Sequence, residues 1–103
     1  MDATTRTVQG RIGGVMNQEQ IELMKHCIGL DNKKPYIRHG KKFYRPYRNY
    51  YFTGAPDEEW DIIVSAGYAN HGEQNIYGGY TYWLTRKGLN YLGVYIGATI
   101  YDY

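Results

Sequence analysis

The stretch "EEWDIIVSAGYANHGEQNIYGGYTYWLTRKGLNYLG", residues 58–93, decides the fold because its apolar period changes twice. It opens as a helix. Pro56 and the acids Asp57, Glu58 and Glu59 suit a helix start, where the dipole favours negative charge. Trp60, Ile63 and Val64 form one apolar stripe, and Gly67 ends it. A strand near Tyr68–Asn70 follows, then a polar loop with glycines, then a strand over Tyr80–Leu84 in which aromatic and polar faces alternate. That predicts a two-stranded β-hairpin. Thr85 then caps a last helix in which Leu89, Leu92 and Ile96 recur at helical spacing despite Gly88 and Gly93.

Upstream, "NQEQIELMKHCIGL", residues 17–30, predicts another helix. Asn17 stands at the cap and Gln20 at the reciprocal capping-box position. Ile21, Met24 and Ile28 make the stripe, Leu23 and Cys27 widen it, and Gly29 stops it. Residues 1–15, "MDATTRTVQGRIGGV", lack hydrophobic periodicity and read either as a flexible arm or as a remnant ahead of a natural start at Met16. Residues 16–103 then form one α+β domain, since 103 residues give one core. Between the first two helices, "HGKKFYRPYRNYYF", residues 39–52, predicts an extended piece up to Tyr44 and a short helix from Pro46. The tail "ATIYDY", residues 98–103, is β-prone, either an edge strand or a frayed end.

Charge is unevenly spread along this frame. Residues 1–52 hold ten Lys or Arg against four Asp or Glu, a balance of +6. Residues 53–103 hold two against six, a balance of −4. If the fold keeps the halves apart, an anionic partner is steered to one surface. The candidate is "KKPYIRHGKKFYRPYRNYY", residues 33–51. Lys33, Lys34, Arg38, Lys41, Lys42, Arg45 and Arg48 can meet phosphates or acids, and Tyr36, Phe43, Tyr44, Tyr47, Tyr50 and Tyr51 can stack on bases. RNA, single-stranded DNA and an acidic protein surface all suit such a set, because Tyr and Arg also dominate protein interfaces. The competing reading puts the rings in the core and leaves the charges to solvate their surroundings.

The run "EEWDIIVSAGYA", residues 58–69, followed by "YTYWLTRKGLNYLG", residues 80–93, resembles the end of a winged-helix domain. The resemblance implies helix, glycine turn, two-stranded wing and a final helix, with residues 18–28 as the first helix and the basic stretch in the place of the second. It also implies DNA contact through the helix before the wing. Here that helix has four carboxylates and no Lys or Arg between Asp57 and Gly67, and the wing from Asn70 to Gly79 has no Lys or Arg either. Beside phosphate those carboxylates repel. The openings "QIELMKHCIGLD", residues 20–31, and "RPYRNYYF", residues 45–52, are similar to those of small bacteriophage and prophage proteins. That likeness implies a non-enzymatic accessory protein that binds and modulates, often by inhibition, a host protein or nucleoprotein complex, defence systems such as CRISPR included. A winged-helix-like nucleic-acid-binding regulator is the alternative, and a sponge for an anionic signal nucleotide the third reading.

Catalytic and metal chemistry find no pattern. His26, His39 and His71 lack ligand spacing, and the single Cys27 closes the usual zinc sets and any internal disulfide. Ser65, the only serine, lies in an apolar helix and not on a nucleophile elbow. No cofactor and no catalytic residue are expected. The absence of an apolar run long enough to cross a bilayer predicts no membrane partner and a place in the host cytoplasm. A homodimer through Tyr80–Leu84 and the tail "IYDY" is a further expectation.

Overall fold

Helix α1 (Gln18–Cys27) starts as its sequence demands: Asn17 Oδ1 accepts the Gln20 N–H at 2.8 Å, and Gln20 Oε1 accepts the Asn17 N–H at 2.9 Å. The computed structural model describes residues 14–103, so most of the arm expected over residues 1–15 lies outside the described residues. At its other end Gly29, with φ 86°, turns the chain. Gly29 N–H then bonds to His26 O and Leu30 N–H to Lys25 O, which satisfies two terminal carbonyls.

The chain next forms strands β1 (Tyr36–Arg38) and β2 (Lys41–Tyr44), which pair antiparallel around His39 and Gly40. Both turn residues have positive φ, 53° and 77°, matching the twist of a two-residue hairpin. The place that the winged-helix resemblance assigns to a second helix is therefore β structure. Nor does a helix start at Pro46. Asn49 lies beside strand β5 (Thr81–Leu84), accepting the Leu84 N–H at 2.8 Å and donating to Leu84 O at 3.0 Å, while Tyr50 N–H bonds to Cys27 O. These bonds tie residues 49 and 50 to β5 and to the end of α1 and lead into β3 (Tyr51–Phe52).

Helix α2 (Glu58–Ser65) is capped by Asp57, and Gly67 at φ 85° ends it as expected. Strand β4 (Ala69–His71) pairs antiparallel with β5, but β3 pairs with the other edge of β5. The predicted two-stranded wing is therefore a three-stranded sheet, β3-β5-β4. Its middle strand has no open edge, which closes off the two-fold pairing expected through Tyr80–Leu84. Helix α3 (Arg86–Ile96) follows the Thr85 cap, and Gly97 at φ 72° reverses the chain into β6 (Ala98–Ile100). The tail does not fray. Strand β6 runs parallel to β2, with Phe43 opposite Thr99 and Tyr44 opposite Ile100, and completes a second sheet, β1-β2-β6.

The core lies between the sheets and helices. Ile21, Met24, Cys27, Ile28, Ile63 and Leu92 are fully enclosed, as are Trp60, Tyr44 and Tyr82. Trp60 stacks on Tyr82 at 5.0 Å, and its indole nitrogen is buried without a hydrogen-bond partner among the described residues. Helix α2 packs on α1 and β4, whereas β6 joins α3 to β2. The acidic helix and the basic sheet thus pack mainly against different elements.

Candidate functional site

Strand pairing sorts the basic stretch into two faces. In β1-β2-β6 the pairs Tyr36↔Phe43 and Arg38↔Lys41 lie on one face, together with Thr99, while Tyr44 and Ile100 lie on the other and are buried. Arg45 and Tyr101, each one residue beyond an inward-facing partner, rejoin the outer face, where the Arg45 guanidinium lies 4.7 Å from the Tyr101 ring centroid. The rings form a ladder across three strands: Tyr36 to Phe43 at 5.8 Å and 28°, Phe43 to Tyr101 at 6.1 Å and 11°. Nearly parallel rings at such separations are offset, so part of each ring face stays uncovered. Tyr36 is 44% exposed, Phe43 and Tyr101 are half-buried, and Arg38, Lys41 and Arg45 are exposed.

No outward position on these strands carries a carboxylate. Among the described residues none of Arg38, Lys41 and Arg45 forms a salt bridge. The face therefore combines cations, ring surface and low competition from acids. It can hold an extended anion that also offers planar groups, by charge and stacking together.

The remaining site residues fall elsewhere. Tyr44 is a core residue: its hydroxyl donates to Ile28 O at 2.8 Å, and burial above all, with Tyr47 and Asp31 nearby, pushes its pKa up to about 12. Arg48 closes the end of α1, donating to His26 O at 2.8 Å and pairing with Asp31 at 3.3 Å. Asp31 also meets His26 Nδ1 at 2.5 Å. Tyr47 covers Gly29, where a side chain would run into its ring, and lies between Lys33 at 5.9 Å and Arg48 at 5.3 Å. Tyr51 packs on Trp60 at 5.3 Å. Lys33 and Lys34 are exposed in the loop before β1. Lys42 faces away from the ladder into a groove of about 690 Å³ against α3, bounded by Leu89, Asn90 and Val94.

Tyr50 belongs to a different patch. Its ring lies 5.1 Å from that of Phe52, which is 68% exposed, on the side of the β3-β5-β4 sheet that Trp83 shares. Tyr101 is the ring that sequence reasoning missed. Its signal was the alternation in "ATIYDY", which becomes informative only once β6 is known to lie beside β2.

Cys27 is enclosed, and burial pushes its thiol up to about 12 against the opposing pull of a Leu84 backbone bond and Arg48. Among the described residues no three His, Cys, Asp or Glu side chains gather to hold a metal, and no helix is long and apolar enough to cross a membrane. No family model, no curated protein and no solved structure matches the chain.

Proposed function

We propose that this chain is a non-enzymatic binding protein of the phage accessory type, which modulates a host protein or nucleoprotein complex through the outer face of β1-β2-β6. The observation that carries the reading is the gathering of Arg38, Lys41 and Arg45 around Tyr36, Phe43 and Tyr101 on one exposed face without a carboxylate. Binding is what such a face does best: cations steer and orient, and rings supply contact area at small entropic cost. The fold reading that accompanies it is a winged-helix-like core of α1, β3, α2, β4 and β5. Support comes from the order β3-β5-β4 behind α2, although Glu58, Glu59 and Asp61 make that helix a poor partner for DNA. Inhibition of a defence complex is the outcome that best fits a small binding protein without chemistry of its own.

The test is cross-linking and recovery from host lysate with the full chain and an Arg38→Ala, Lys41→Ala, Arg45→Ala variant. One complex should be retained by the wild type and lost by the variant. Equal recovery by both removes the proposed face from the function.

A further inference from the structure

Building on that reading of the face, we propose that Tyr36, Phe43 and Tyr101 form a stacking platform for unpaired bases of a single-stranded nucleic acid, with Arg38, Lys41 and Arg45 holding its phosphates. Tyr36 and Phe43 on adjacent strands and Tyr101, one residue past β6, stand 5.8 Å and 6.1 Å apart in turn, which is room for about two or three bases. Their planes diverge by only 28° and 11°, so bases laid along them can stay nearly parallel to one another. The Arg45 guanidinium, 4.7 Å from the Tyr101 centroid, places a cation at that end of the ladder. Arg38 and Lys41, opposite each other across the hairpin, flank the ladder on the same face. Rings beside cations match the alternation of base and phosphate along a strand, whereas carboxylates alone would leave the Phe43 ring uncovered.

Unpaired bases are required because a duplex hides its base faces inside its own stack. Rings standing on a sheet reach only bases that are already open. A helix that reads a duplex needs donors for the major groove, and α2 presents Glu58, Glu59 and Asp61 instead. Phe43 at the centre has no hydrogen-bonding group, so the platform holds bases by their faces and reads their edges weakly. Sequence preference should accordingly be slight.

Fluorescence anisotropy of labelled oligo-dT and oligo-U, with a hairpin duplex as control, tests this on the full chain at low and moderate salt. Both single strands should bind more tightly than the duplex. Tyr36→Ala with Tyr101→Ala should weaken that binding at least tenfold, while Tyr101→Phe retains it, because stacking uses the ring and not the hydroxyl. Arg38→Ala with Lys41→Ala should lower the slope of log affinity against log salt by about 1.4. Thermal unfolding of each variant shows whether it folds, and Tyr101→Phe and the charge variant leave the core untouched. Preference for the duplex, or tight binding by a folded ring variant, overturns the platform. If the wild type holds no oligonucleotide yet still recovers a host complex through this face, the platform fails and the broader function stands. If neither occurs, both fall.

Discussion

Replacing Gly88 by alanine sets local propensity against tertiary packing. Gly88 lies in the first turn of α3, where alanine is favoured over glycine by about 1 kcal/mol in a helix. A side chain there, however, would stand 2.0 Å from Tyr68 O and 2.9 Å from Tyr68 C, both backbone atoms. Carbon and oxygen come no closer than about 3.3 Å even in attractive contacts, so α3 must retreat by more than about 1 Å. The same Tyr68 carbonyl accepts the Thr85 N–H at 3.0 Å, and that bond stretches with the retreat. Overpacking costs about 1–3 kcal/mol and the weakened bond about 1 kcal/mol more. Against the gain in propensity, a net loss of about 2 kcal/mol remains, which for a domain of this size lowers Tm by roughly 10 °C. Thermal and urea unfolding followed by circular dichroism measures it. Gly54→Ala is the control: no atom comes within 4 Å of a side chain there, so its effect should stay within about 0.5 kcal/mol. A Gly88→Ala chain as stable as the wild type, with the control unchanged, would refute the packing argument.

Asn49→Ala should cost about 2 kcal/mol in urea unfolding, because both side-chain bonds to the Leu84 backbone are lost on a part-buried strand. Native Cys27 should resist a thiol reagent at pH 8 and react fully once the chain is unfolded, since burial holds its thiol at about 12. Tyr44 and Tyr82, both raised from 10.0 to about 12, make the fold sensitive to alkali. Their contribution is complete below pH 10, where both states keep the proton, and is lost as pH rises from 10 towards 12, because the unfolded chain ionises first. An alkaline titration of circular dichroism should show stability falling across that window, with a Tyr44→Phe, Tyr82→Phe chain showing a flatter fall.

The helices were legible because their signals act over a single turn. Asn17 and Gln20, three residues apart, exchange the two bonds that start α1, and no distant part of the chain is needed for that exchange. Asp57, Thr85, Gly67 and Gly97 work in the same local way. The Pro46 helix failed for the opposite reason. Its signal was only a proline suited to a first turn, and Asn49 bonds to Leu84, thirty-five residues away, which ties the chain to β5. Tyr44 shows the same limit within the candidate site. In "KKFYR" both Phe43 and Tyr44 are large rings, and nothing in the order of residues says which faces inward.

By itself, then, the order of residues determined three capped helices, a basic aromatic stretch and an acidic helix kept apart in sequence. Those features depend on hydrogen bonds and charges between near neighbours. The tertiary structure decided that β6 lies parallel to β2, that Tyr44 turns into the core, and that Tyr101 joins Tyr36 and Phe43 outside. The physical reason is the two-residue period of a strand: pairing with a distant partner chooses the phase, and the phase chooses which alternate side chains form the face.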